Sequence, residues 1–154
     1  MNNIITYRIE MDEKRHPFLV AEKTIEYSIT CIDSPERAVN LVNSIFRLNH
    51  LAEEMVYMIA MDFKCKILGI FNVSHGTVNK TICNPREIFI RALVSGASSI
   101  IIIHNHPSGD SNPSNSDIVT YKNLEEISKI IGIDLVDFII VGDDYFSFNN
   151  NQII

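Results

Sequence analysis

The stretch His104-Asn105-His106-Pro107-Ser108-Gly109-Asp110-Ser111-Asn112-Pro113-Ser114-Asn115-Ser116-Asp117 concentrates the side chains best suited to chemistry. Two histidines separated by one residue at a strand end project the same way, because strand side chains repeat every two residues. Their imidazoles can then grip one ion. Asp117 follows His104 by thirteen residues, in the first turn of a predicted helix, and returns to the histidines if the loop between them folds back. Pro107, Gly109 and Pro113 are the residues such a turning loop needs. Two imidazoles plus one carboxylate leave a fourth position for water, the pattern of a catalytic zinc rather than a closed structural one. The spacing therefore predicts one divalent metal ion, Zn2+, on His104, His106 and Asp117. Ser114-x-x-Asp117 also reads as a capping pair, the serine covering the helix N-terminus and the acid favoured there by the dipole. The two readings are compatible.

Hydrolysis at such a site needs a base for the bound water. Glu53, Glu54 and Glu87 are the candidates. Glu54 opens a predicted central strand and is placed to face a neighbouring strand end carrying His104. Period-2 alternation puts Glu53 on the opposite face, and Glu87 falls on the outer face of a helix beginning near Pro85. Spacing leaves the choice among the three open. His16, His50 and His75 have no partner at ligand spacing and read as ordinary polar residues, His75 as part of a Ser-His-Gly turn.

The elements that must position these residues are legible in outline. Ser34-Pro35-Glu36 is a helix start, with a serine N-cap and proline at the first helical position. Ala38, Leu41, Val42, Ile45, Phe46 and Leu48 follow at helical spacing, which predicts a helix over 35–49. Residues 54–62 are continuously apolar, as a strand covered on both faces should be. A turn at 63–66 leads to a second strand, 67–74, broken at Ser74-His75-Gly76, and a third short strand is expected at 77–83. Asn84-Pro85-Arg86-Glu87 opens a helix that ends near Ser95-Gly96. Ser98-Ile103 is a β-branched run that delivers His104 at its end. A helix is expected from Ser114 to about Ile131, and 133–141 with 145–148 form a hairpin around Gly142-Asp143-Asp144. Residues 1–33 read as a separate N-terminal arm or extra strand, with Tyr27-Ile32 a weakly alternating candidate, ahead of one domain over 34–154. Asn149-Gln152 reads as a short polar tail. The order predicts a mixed α/β sandwich.

The 154 residues suit one compact domain, 46% hydrophobic and 21% charged, as in ordinary globular proteins. The net charge of −6 and the absence of any basic run beyond Lys14-Arg15 argue against autonomous DNA binding. No segment approaches the ~18 consecutive apolar residues of a membrane span, and residues 1–20 carry acids where a signal peptide would be apolar. Cys31, Cys65 and Cys83 are far apart, odd in number and outside CxxC spacing, so they read as buried thiols of a reducing cytoplasm. No oligomeric state is specified.

His104-x-His106, seven residues, then Ser114-x-x-Asp117 resembles the JAMM signature of the MPN (JAB) metalloprotease superfamily. The longer His-Asn-His-Pro-Ser-Gly-Asp string, ending in Pro-Ser-x-x-Asp, is similar to its RadC-like branch. Glu54 through Asp62, Ser74-His75-Gly76-Thr77, Asn84-Pro85-Arg86-Glu87-Ile88, Ala92, Asp137 through Gly142 and Tyr145 through Phe148 extend the likeness from about residue 34 to 148. The resemblance implies a cytidine-deaminase-like curved mixed β-sheet with helices on both sides. It implies His104, His106 and Asp117 as ligands and a peptide or protein substrate. It makes Glu54 the base that takes the water's proton and passes it to the leaving amine, and Ser114 a donor to the developing oxyanion. Longer RadC proteins carry an N-terminal helix-hairpin-helix module, and residues 1–33 show no such glycine-containing hairpin, so a DNA-repair role transfers poorly.

Three functions are then in play. The first is a zinc-dependent peptidase or isopeptidase. The second is a non-catalytic binding or assembly module that keeps its metal, associated with DNA repair or mobile elements. The third is a nuclease suggested by the letters His-Asn-His; in HNH enzymes those residues are spread along a ββα unit, and the acidic charge here argues against it.

Overall fold

Ile100-Ile103 is apolar at every position, and a strand accepts that pattern only when both of its faces are covered. The computed structural model, which describes residues 2–76 and 83–153, covers both. Its elements in order are β1 (Asn2–Met11), β2 (Pro17–Tyr27), α1 (Pro35–Phe46), β3 (Met55–Met61), β4 (Ile67–His75), α2 (Pro85–Val94), β5 (Ser99–Asn105), α3 (Asn115–Ile131), β6 (Asp134–Val141), β7 (Tyr145–Ser147) and α4 (Phe148–Asn151). They form a mixed α/β fold around one seven-stranded sheet in the order β2-β1-β4-β3-β5-β6-β7. The β1–β4 and β5–β6 pairings are parallel and the rest antiparallel.

Alternation along the central strands sorts the core into two layers. Val56, Met58, Ala60, Ile100, Ile102, Phe138 and Ile140 pack with Ile88, Phe89 and Ala92 of α2, Leu124 of α3 and Phe148 of α4. Tyr57, Ile59, Met61, Ile101, Ile103, Ile139 and Val141 pack with Ala38, Leu41 and Val42 of α1. His104 continues the even-numbered series, so it emerges on the same face as α3, which carries Asp117. Helices therefore flank both sides of the sheet, as expected from the resemblance.

Several elements depart from the sequence reading. The expected helix over 35–49 stops at Phe46, where Arg47 takes a left-handed conformation (φ 52) and a short 3-10 turn, Leu48–His50, follows. The stop is made by Asn43, whose carbonyl accepts from Arg47 N–H and whose side chain accepts from Asn49 N–H, rather than by a glycine. Residues 2–27, read as an arm or extra strand, form a long hairpin at one edge of the sheet, and Tyr27-Ile32 is not a strand: β2 ends at Tyr27, with only an isolated bridge from Cys31 to Lys66 beyond it. The hairpin turn carries no glycine. Asp12 Oδ1 builds it by accepting from Lys14 N–H and His16 N–H, both at 2.8 Å. The strand expected at 77–83 lies outside the described residues except for Cys83, which precedes α2. Phe148 begins a helical turn rather than ending a strand, because Ser147 caps it and Asp137 accepts from Asn149 N–H. Cys83 is buried as expected, whereas Cys31 and Cys65 are half-buried, and all three are free thiols. Among the described residues no helix is long and apolar enough to cross a membrane.

The hairpin joins the sheet through a short parallel contact, Thr6 with Ile70 and Tyr7 with Phe71. Gly69 permits that approach, since a Cβ there would lie 2.6 Å from the Tyr7 ring. Gly69→Ala is expected to destabilise the fold by about 1–3 kcal/mol as the ring is displaced. Urea denaturation measures this, and an unchanged midpoint would contradict the packing described.

Candidate metal centre

The ladder between β3 and β5 runs to the pair Val56–His104, so the start of β3 and the end of β5 lie side by side. Glu54 immediately precedes β3. His106 follows β5 and is still held in line by its N–H, which donates to Val141 of β6 at 2.8 Å. Beyond His106 the chain turns back on itself at Gly109, with φ 87. Gly109 C=O accepts from Asp143 N–H, and a Cβ on Gly142 would fall 2.3 Å from that oxygen. The loop is thus seated on the β6–β7 turn by two glycines that allow backbone to meet backbone. It returns the chain to the N-terminus of α3, where Ser114 and Asp117 form a reciprocal capping box.

The outcome is a cluster of Glu54, His104, His106 and Asp117 whose donor atoms all lie within 4.8 Å of one another. The three residues predicted as ligands are brought together, as is one of the three candidate bases. The others are elsewhere. Glu53 turns away and pairs with His75, both of them exposed. Glu87 pairs with Arg86 and Arg91 on α2. Ser114 reaches the cluster through Asp117, its Oγ accepting from Asp117 N–H and donating to Asp117 Oδ2 at 2.8 Å. His75 is the last residue of β4 rather than part of a turn, contacts Glu53 at the surface and is not among the clustered residues.

The contacts within the cluster are those of a group that could hold a cation. His106 Nδ1 lies 2.7 Å from the carbonyl of Asp110, which can only accept, so that nitrogen carries the proton. The lone pair on Nε2 then faces Asp117 Oδ2 at 3.2 Å. His104 has the same arrangement, with Nδ1 at 3.1 Å from Glu54 Oε1 and Nε2 at 3.2 Å from Asp117 Oδ1. Both ring nitrogens of His104 are buried and neither is aligned in a hydrogen bond among the described residues. A neutral imidazole can satisfy one carboxylate and not two. A positive charge among these atoms removes the conflict, either as protons on the rings or as a cation between the oxygens and the lone pairs. With both histidines neutral, two carboxylates give the cluster a charge matched to a divalent ion. The Asp110 carbonyl is the outer partner that fixes the ring of His106, a role that spacing did not announce.

Protons compete for the same place. Burial opposes a charge on His104, but the attraction of Asp117 and Glu54 outweighs it and raises the pKa to about 9. His106 is raised as well, chiefly by Asp117. For Asp117, burial favours the neutral acid, and the contacts with His104 and His106 override it to hold the carboxyl well below its usual range.

Comparison with known proteins gives the family. A family model described as the RadC-like JAB domain matches residues 32–153. The chain belongs to the RadC-like JAB family. A UPF0758 protein of Clostridium acetobutylicum is 44% identical over 115 residues, covering 75% of this chain and 49% of the relative. Another from Alkaliphilus oremlandii is 42% identical over 124 residues, covering 80% and 53%. A third, from Caldanaerobacter subterraneus, is 41% identical over 112 residues, covering 73% and 47%. The chain spans about half the length of the curated relatives it matches. The JAB match takes in all four clustered residues.

The pKa directions set how the metal-free protein responds to pH. The His104 contribution is fully present below its unfolded value of 6.5 and is lost as pH rises toward 9. The Asp117 contribution is present above 3.8 and is lost as pH falls below it. Metal-free protein is therefore expected to lose stability between pH 6.5 and 9, and His104→Gln to reduce that loss, with the raised His106 supplying the remainder. Denaturant midpoints across the range decide this; a flat profile in the parent chain would contradict the charge pairing.

Proposed function

We propose that the chain is a zinc-dependent hydrolase of peptide or isopeptide bonds, with His104, His106 and Asp117 as ligands and Glu54 as the general base. The observation that carries this reading is the convergence of one further carboxylate, and not a fourth ligand type, on a two-histidine, one-aspartate set. A divalent ion held by His104, His106 and Asp117 would supply Lewis-acid polarisation of a substrate carbonyl and would acidify water. Glu54 would then be the proton acceptor for the attacking water and the donor to the departing amine. Its side chain is 30% exposed, which leaves it open to solvent. Asp117 stays ionised, being held by the histidines and by the N–H and hydroxyl of Ser114. The Ser114 hydroxyl is the donor available to an oxyanion once its proton leaves Asp117 Oδ2.

Room for substrate is provided beside α3. An open groove of about 450 Å³ runs between the start of α2, at Cys83 and Pro85, and the first turns of α3, at Asn115, Val119, Thr120 and Asn123. Its mixture of apolar and neutral polar side chains suits a peptide segment better than a phosphate backbone, and the chain's net charge of −6 points the same way. Three free cysteines are in keeping with a reducing, cytoplasmic setting.

Glu54→Gln tests the reading. The variant is expected to keep its metal and to lose turnover of a peptide or isopeptide substrate by about 10²-fold or more. Parent and variant are assayed side by side with metal content measured in both. Full activity in Glu54→Gln would overturn the mechanism, and absence of turnover in the metal-loaded parent across peptide and isopeptide libraries would favour an assembly module.

A further inference from the structure

We infer that Asn105, the residue between the two histidines, is the positioning residue for Glu54, an inference that rests on Glu54 being the base proposed above. Its side chain is almost completely buried, 1% exposed, at the end of β5. Alternation turns it away from His104 and His106, so it is not a ligand. It reaches instead across 50 residues of sequence to the chain on either side of Glu54. Asn105 Oδ1 accepts from Met55 N–H at 2.7 Å, and Asn105 Nδ2 donates to the Glu53 carbonyl at 2.9 Å. The two bonds bracket Glu54. A third holds the peptide from the opposite side, where Gly76 N–H at the end of β4 donates to the Glu54 carbonyl at 3.0 Å.

The arrangement answers a geometric problem. The β3–β5 ladder ends at Val56–His104, and the backbone of Asn105 is paired with Val141 of β6. Main chain alone therefore leaves Glu53 C=O and Met55 N–H without a partner on the β5 side. A primary amide supplies one acceptor and one donor in a single plane, which matches that carbonyl and N–H together. Aspartate lacks the donor, serine cannot span both groups, and glutamine is a methylene longer. With its flanking peptides fixed, Glu54 enters the cluster with its carboxylate 3.1 Å from His104 Nδ1. Less ordering remains to be done when substrate arrives. The Asn of His-Asn-His is thus coupled to the base, while its neighbours serve the metal.

The contact between Glu54 and His104 reports on this directly, with neither metal nor substrate required. Long-range 15N–1H spectra of the full metal-free chain at one fixed pH give the His104 Nδ1 resonance in the parent, Asn105→Ala, Glu54→Gln and the double variant. Asn105→Ala is expected to move that resonance as Glu54→Gln does, with no further movement in the double variant. Met55 N–H should exchange faster while amides of central β5 stay protected. Metal affinity should remain within about 3-fold of the parent, because the ligands are untouched. Asn105→Leu, which keeps the approximate shape without adding charge and loses both amide contacts, serves if the alanine variant does not fold, and it should shift the resonance in the same direction. A His104 Nδ1 resonance unchanged in the Asn105 variants, or additive shifts in the double variant, would overturn the inference. Lower thermal stability with the resonance in place would make Asn105 a purely structural residue, and that also overturns it. Failure of the hydrolase reading would appear separately, as lack of turnover in the metal-loaded parent.

Discussion

One buried imidazole sets the terms for the site. His104 is enclosed at the end of the central strand with a carboxylate facing each of its nitrogens, and a neutral ring can satisfy only one of them. Burying unpaired charge is costly, so the cluster is stable only when positive charge is supplied, by protons or by a cation. Protonation of His104 and metal binding are therefore alternatives at one place. The same electrostatics that raise its pKa leave lone pairs and carboxylate oxygens grouped where they could hold a cation. The remaining features of the site act to hold those atoms at that spacing.

The sheet provides the rigidity. Two layers of apolar side chains clamp β3, β5 and β6, which brings the start of β3 beside the end of β5 without help from a ligand. The loop after His106 is fixed by contact of Gly109 with the β6–β7 turn, and α3 delivers Asp117 as part of its own capping box. Ser114 and Asp117 satisfy the helix terminus and the cluster at once, so local helix stability and site geometry depend on the same pair of residues. Asn105 links this framework to Glu54. Every group in the site is thus supported by an element that would exist for folding reasons alone.

Much of this was legible in the sequence because the signals are local. The unbroken Ile100-Ile103 run announced a buried strand, His-x-His at its end implied shared direction, and Ser114-x-x-Asp117 marked a helix start that also delivers a carboxylate to the histidines. Glu54 was one of three possibilities on spacing and was chosen by resemblance; the fold places Glu53 with His75 and Glu87 with arginines of α2, leaving Glu54 alone beside the histidines. The features not foreseen are non-local or lack the usual residue. Asn105 acts on peptides 50 positions away, and Asp110 acts through its backbone carbonyl, which any residue possesses. The β1–β2 hairpin turns on an aspartate side chain, and α1 stops at a left-handed arginine, with no glycine at either place.

The central claim is that these four residues form a metal centre, and metal content tests it most directly. Elemental analysis of the chain, purified without chelators, is compared with that of Asp117→Ala prepared in the same way. The account predicts one zinc per chain in the parent and a loss of bound metal in the variant, with the apolar core and sheet still folded by circular dichroism. A parent chain that carries no metal, or an Asp117→Ala variant that retains a full equivalent, would contradict it.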